Sequence, residues 1–314
     1  MSFAERKSRC TFAIDLSANK LYFCYSLCAD KESLLSVKAQ FPLLAFALFL
    51  VVNLHAQDRP LRIGMIPDAG ATAASVTEKA PLKAYLTKAL GHEVELIIPT
   101  NYNATVEAMG NGSLDFAYFG GLTYMKAHSQ FGVMPLVQRT SDLQFHAVFI
   151  TGANSPIHSL QDLKGRNFAF GDINSTSGHL MPYLELKQIG INPDTDMKFR
   201  YTGSHPATAK AVESGAADAG ALDETVFNSL IADGKVDKTK VRIFYTTKPF
   251  VDYVWAARKE IDTAKQEKFV QAFLRLKEGQ DDEILKILRG KTFVRATDDE
   301  YSALKRVAQE LKMF

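Results

Sequence analysis

The sequence predicts an α/β protein built as two similar lobes, and three observations carry that expectation. From residue 61 onward, apolar β-type runs alternate with segments of helical spacing, the order expected of mixed, mostly parallel sheets flanked by helices. The order occurs twice, once from Leu61 and again from Phe168, and the second copy keeps residues of the first in the same register. Two further apolar runs, at residues 145–151 and 250–255, stand where a chain would cross from one lobe to the other.

In chain order, the first stretch stands apart from the rest. Lys38, an apolar run over residues 41–52 and a short polar region ending at Ala56 have the layout of a secretory signal peptide cleaved after Ala56. The run is short for a membrane span. An export signal belongs at the extreme N-terminus, so residues 1–36 read as an extension, translation is expected to start near Val37, and the signal occupies 37–56. Cys10, Cys24 and Cys28 all fall in that extension, so the exported part holds no disulfide, thiolate metal site or cysteine nucleophile. No cysteine follows the apolar run, which argues against lipid attachment and for a soluble, periplasmic protein. Residues 1–56 carry six of the 37 Lys and Arg and four of the 35 Asp and Glu, so the remainder is balanced. Bulk charge then recruits neither nucleic acid nor anions, and any anion selectivity must come from local geometry.

The first lobe is expected to run strand 61–66, helix 80–90, strand 94–98, helix 104–111 and strand 114–118. The second repeats this with a strand from Phe168, a helix ending at Gly190, strand 197–201, helix 207–214 and strand 217–221. Tyr102-Asn-Ala-Thr105, then Ala108, Gly112 and Asp115, matches His205-Pro-Ala-Thr208, then Ala211, Gly215 and Asp218. Tyr102 and His205 therefore head equivalent helices, in loops of the kind that bind ligands at the carboxyl ends of open α/β sheets. Helices at 264–276, 281–288 and 298–311 carry charges on one face and apolar residues on the other, and read as packing. The division expected is 57–147 for the first lobe, 148–251 for the second, and 252–314 returning to the first.

Within the second lobe, Phe168-Ala-Phe-Gly-Asp-Ile-Asn-Ser-Thr-Ser-Gly-His-Leu180 is an apolar strand running into a hydroxyl-rich turn and then a helix. Ser175, Thr176 and Ser177 fall where the helix begins, beside unpaired N–H groups at the positive end of its dipole. Such a place either caps the helix or cradles an oxyanion, and the stretch alone leaves both open.

Taken with Gly64-Met-Ile-Pro-Asp68, Gly112-Ser-Leu-Asp-Phe-Ala-Tyr-Phe-Gly120, Ser204-His205 and Asp252-Tyr-Val-Trp255, these motifs resemble the periplasmic phosphonate-, phosphite- and phosphate-binding proteins of ABC importers. The resemblance implies a two-lobed binding protein of type II, hinged by two crossings and closing on a small phosphorus oxyanion for an ABC permease and ATPase. It implies ligand contacts at Tyr102, at Tyr118, Gly120 and Gly121, at Ser175, Thr176 and Ser177, and at His205, Asp252 and Tyr253. It implies no cofactor, no metal, and a monomer. Members taking aminoalkylphosphonates carry an extra acidic residue near the 222–225 turn, where Asp223 and Glu224 stand in uncertain register. Tyr253 after Asp252 looks more like members taking phosphite or methylphosphonate.

No Lys or Arg lies in these motifs, so neutral dipoles are expected to solvate the anion. Asp252 is read in two ways, as the acceptor for a proton on the ligand or as a hinge carboxylate capping backbone. His179 lies near the hydroxyl turn without further support. Tyr118, Phe119, Tyr124, Tyr253 and Trp255 read as core or cleft wall. Two other functions stay open: a sensor subunit binding the same anion, and a transferase-type enzyme with His205 as base and Asp252 as its orienter. Against the enzyme, neither Gly-x-Ser-x-Gly nor His-Glu-x-x-His occurs.

Overall fold

A computed structural model describes residues 59–313, together with a two-residue strand pair, Ile14–Asp15 with Lys20–Leu21. The extension read at 1–36, apart from that pair, and the signal peptide read at 37–56 lie outside the described residues. Among the described residues, no helix is long and apolar enough to cross a membrane.

Two sheets organise the chain from Asp58 onward. The first has six strands in the order Phe293–Arg295, Met134–Arg139, Val254–Ala257, Phe116–Phe119, Leu61–Met65, Val94–Ile97. The second has five, in the order Val241–Thr246, Ala147–Gly152, Ala219–Asp223, Asn167–Phe170, Lys198–Tyr201. Both sheets are mixed, but parallel pairs are four of nine and not the majority the sequence suggests. The parallel half of each sheet is made by the βα repeats. Four of the five antiparallel pairs involve Ala147–Gly152 or Val254–Ala257, the strands that follow the two crossings, which a reading of βα alternation does not register.

Alternation along the strands of the second sheet divides its core in two. Val148, Ile150, Ala169 and Leu222 pack on one face with Val212, Val226 and Phe227, while Phe149, Phe168, Phe170 and Ala221 pack on the other with Leu160 and Leu186. That is the two-residue period of a sheet buried on both sides. Strands Met134–Arg139, Val241–Thr246, Val254–Ala257 and Phe293–Arg295 and helices Gly121–Phe131 and Glu224–Ala232 were not foreseen as such.

The internal repeat reappears in hydrogen bonds. Tyr102 and His205 are the first residues of helices Tyr102–Gly110 and His205–Glu213, capped by Asn101 and Ser204 through the N–H groups of Ala104 and Ala207. Each helix ends at a left-handed glycine, Gly112 at φ +75° and Gly215 at φ +74°, a conformation that costs glycine little. Leu114 then donates its N–H to Ala108 O and Ala217 to Ala211 O, both at 3.0 Å. Asp115 accepts the Arg62 N–H and Asp218 the Asn167 N–H, each stapling one strand start to its neighbour.

The chain passes between the sheets after Arg139 and again after Thr246. The run 145–151, read as a crossing, joins the second sheet already at Ala147, and only its first residues lie between sheets. The two crossings are tied to each other: Phe145 and Phe250 exchange backbone bonds of 2.8 and 3.0 Å, and Asp252 N–H donates to Asp142 O at 3.1 Å. Beside them the Arg139 guanidinium grips the Asp142 carboxylate, with both side chains almost wholly buried. Its other arm donates to Arg289 O, and its face covers the Tyr253 ring at 5.0 Å.

Removing one partner of this pair strands a buried charge. Asp142→Asn is expected to lower the unfolding free energy by about 3 to 5 kcal/mol in urea denaturation, whereas breaking an exposed pair such as Lys265 with Asp262 should leave the midpoint nearly unchanged.

Candidate functional site

Polar side chains from both sheets meet where the crossings run. From the first lobe come Tyr102, the glycine turn Gly120-Gly121 and Asp68; from the second come Ser175, Thr176, Ser177, His205 and Asp223; the second crossing adds Asp252 and Tyr253. Of these, the side chains of Tyr102, Ser175, Thr176, Ser177, His205, Asp223, Asp252 and Tyr253 are all 2% exposed or less.

His205 is the centre of the cluster. Its Nδ1 accepts the backbone N–H of Asp223 at 3.3 Å, so in the neutral ring the proton sits on Nε2. Nε2 faces the Tyr102 hydroxyl at 3.4 Å and the Tyr253 hydroxyl at 3.3 Å. Burial pushes the imidazole below its ordinary range, against the pull of Asp223, and keeps it neutral. Burial also pushes both tyrosines well above theirs, so each stays a protonated donor. With Nε2–H directed at the phenol oxygens, both hydroxyls keep their own protons, that of Tyr102 beside the Ser175 hydroxyl.

The hydroxyl turn opens with π-type geometry over Thr176–Leu180 before continuing as the α-helix Met181–Gln188. Ser175 is the cap, its Oγ accepting Gly178 N–H at 2.9 Å. Thr176 Oγ1 accepts Leu122 N–H from the opposite lobe at 3.0 Å. Ser177 Oγ is buried with no partner. Gly178 has to be glycine: a Cβ there would stand 2.9 Å from Ser175 Oγ and 3.2 Å from the His205 ring. His179 is held away from the cluster. Its ring meets Ile173 O and the Tyr201 hydroxyl, and burial pushes it down to about 4.

Gly121 donates its N–H to Asp252 Oδ1 at 2.8 Å, so Asp252 does cap backbone, at the start of helix Gly121–Phe131. Its Oδ2 remains without a partner, which leaves the second reading of this residue standing as well. Burial raises the Asp252 carboxyl to about 7, against the Gly121 N–H and the Thr176 hydroxyl. Asp252 does not orient His205, whose Nδ1 is taken by Asp223.

Tyr118 stands one layer back. Its ring stacks on Tyr253 at 5.1 Å and its hydroxyl is buried without a partner. Trp255 lies behind Tyr118, 1% exposed and packed on Phe269 and Phe273, and Phe119 and Tyr124 are core.

Neutral dipoles are not the whole electrostatic account. Arg289, from the end of a helix read as packing alone, reaches Asp68 with its guanidinium, and both side chains are largely buried. Attraction to Asp68 outweighs burial and raises the arginine, which stays charged. Burial opposes the charge on Asp223, but Arg289, Arg139 and the Val226 N–H hold its carboxyl below the usual range. Its Oδ1 caps helix Glu224–Ala232 and its Oδ2 has no partner. Asp68 ends the Gly64-Met-Ile-Pro-Asp68 motif, and Asp223 stands near the acidic position the resemblance implies. Arg289 carried no sequence signal, since it follows an ordinary amphipathic helix.

Two sheeted lobes joined by two crossings, with donors from both meeting in a buried cluster at the join, define a two-lobed solute-binding protein. The chain belongs to the family described as ABC transporter, phosphonate, periplasmic substrate-binding protein, whose profile matches residues 63–301. It is 31% identical over 266 residues to the probable ABC transporter phosphite binding protein PhnD1 of Prochlorococcus marinus (strain MIT 9301), covering 80% of this chain and 89% of that protein. The solved structure of PhnD1 from Prochlorococcus marinus (MIT 9301) in complex with methylphosphonate aligns with a TM-score of 0.76 at 30% identity, over 82% of this chain and 99% of that one. The phosphonates-binding periplasmic protein of Escherichia coli (strain K12) is 24% identical over 234 residues, 71% of this chain and 68% of its own. These are transport binding proteins, and the enzyme reading of His205 with Asp252 is set aside.

Because Asp252 titrates higher folded than unfolded, its stabilising share is complete below about pH 4 and lost as pH rises through about 7. Relative to Asp252→Asn, the wild type should therefore lose stability between about pH 5 and about pH 8, read from urea midpoints at the two values.

Proposed function

We propose that this protein captures a small phosphorus oxyanion in its interlobe cleft, phosphite or methylphosphonate in particular, and delivers it to an ABC permease and ATPase. It does so in the periplasm, as a soluble monomer released by cleavage after Ala56, without nucleic acid or cofactor. The observation that carries this reading is the set of unsatisfied groups around His205. Ser177 Oγ and Asp252 Oδ2 are buried with no partner, and the Tyr253 phenol, which faces His205 Nε2, keeps its own proton to donate. Buried polar groups left this way are costly unless a ligand completes them.

The donor set suits an oxyanion, and the unpartnered Asp252 Oδ2 on the second crossing selects among oxyanions. Phosphite and methylphosphonate monoanions each carry one P–OH, which donates to Asp252 Oδ2, while their remaining oxygens accept from Tyr102, Tyr253, Ser177 and the hydroxyl turn. A dianion must first gain a proton, and sulfate has none to offer near neutrality. Asp252, raised to about 7, is matched to a ligand of the phosphate type, whose second pKa is about 6, so one proton is shared between the two. The stacked rings of Tyr253 and Tyr118 offer an apolar face for the P–H or P–CH3 bond. This fits the phosphite and methylphosphonate named for PhnD1.

A thermal-shift series with phosphite, methylphosphonate, aminoethylphosphonate, phosphate and sulfate tests the reading. Phosphite or methylphosphonate should raise Tm and sulfate should not, and no shift with any phosphorus acid would overturn it. Calorimetry on Asp252→Asn should show the preference for phosphite over sulfate narrowed by about tenfold, and Ser177→Ala should weaken phosphite binding by a similar factor. An unchanged preference in Asp252→Asn would refute the shared proton.

A further inference from the structure

Lys126 and Asp172 take no part in the donor set, yet they hold the lobes together beside it. Lys126 projects from helix Gly121–Phe131 of the first lobe, and its ammonium donates to Asn174 Oδ1 of the second at 2.5 Å. Asn174 in turn gives its backbone N–H to Asp172 Oδ1 at 2.7 Å. The Asp172 carboxylate, 8% exposed, also faces the Lys126 ammonium and the backbone N–H of Tyr102 at the head of the first lobe's helix. Asp172 O accepts the Ser175 N–H at 2.9 Å, so the gripped residues lead directly into the hydroxyl turn.

Each of these cross-lobe contacts joins a group of the first lobe to one of the second, so it is made only when the lobes are together. When the cleft opens, the ammonium and carboxylate return to water. A contact present in one state alone biases the equilibrium toward that state whether or not it touches ligand. We propose that Lys126 and the Asp172-Ile-Asn174 turn form a latch across the cleft. The latch sets the closed population and the release rate of every ligand alike, without discriminating among them. This rests on the anion-capture reading above only for the identity of what is released.

Ligand-free and phosphite-loaded protein are compared by small-angle X-ray scattering, and release of phosphite and methylphosphonate is followed by stopped flow. Ligand-free Lys126→Met should be less compact than wild type, and should release both anions about tenfold faster with their affinity ratio unchanged. Lys126→Arg should recover part of the loss. Asp172→Asn separates the latch from simple charge: removing a negative group near an anion should tighten binding if repulsion were its only role, whereas loss of the latch loosens it. Scattering and release both unchanged in Lys126→Met would overturn the proposal, as would an effect confined to one anion, which would mean direct ligand contact. If wild type binds neither anion, the capture reading fails, and the ligand-free scattering comparison still decides the latch.

Discussion

The imidazole of His205 has three polar neighbours and two nitrogens, and the arrangement of the site follows from how those nitrogens are shared. One is committed to the backbone of Asp223 in its own lobe, which fixes the tautomer. The other presents its single proton to two phenols, one from the first lobe and one from the second crossing. Both tyrosines thereby keep their own hydroxyl protons. Depth matters as much as contact, because burial keeps the ring neutral and the phenols protonated. The donor pattern therefore does not vary across ordinary pH.

Charge around this centre is arranged in held pairs. Arg139 with Asp142 braces the first crossing, and Arg289 with Asp68 braces the loop whose Asp68 carbonyl accepts the His205 N–H at 3.2 Å. The guanidinium of Arg139 also donates to the carbonyl of Arg289, so the crossing and that loop are mechanically continuous. Isolated buried ions would be prohibitive here, and pairing makes them tolerable. Asp252 is a buried carboxylate in no ion pair, and burial raises its proton affinity.

The start of helix Gly121–Phe131 is completed by groups from beyond its own lobe. Its first N–H goes to Asp252 on the second crossing and the next to Thr176 in the second lobe. A helix end that open lobes would leave to water is satisfied by the opposite half of the molecule when they meet. The five-residue π turn after Ser175 serves the same end, packing Gly178 against the His205 ring so that cap and imidazole are built as one piece.

Local pattern determined much of this without any coordinates. Paired positions such as Tyr102 and His205, Gly112 and Gly215, Asp115 and Asp218 were legible because helix caps, left-handed turns and strand staples each depend on a few neighbouring residues. The hydroxyl turn was legible for the same reason. Tertiary structure alone decided what those pieces do to one another. Most antiparallel pairs involve the strands that follow the crossings. Arg289 arrives from a helix more than a hundred residues away in sequence, and Tyr118 recedes behind Tyr253 because stacking, not motif, sets its depth. Whether Asp252 merely caps a helix or also keeps a free oxygen depends on burial and on partners distant along the chain, and no local spacing encodes either.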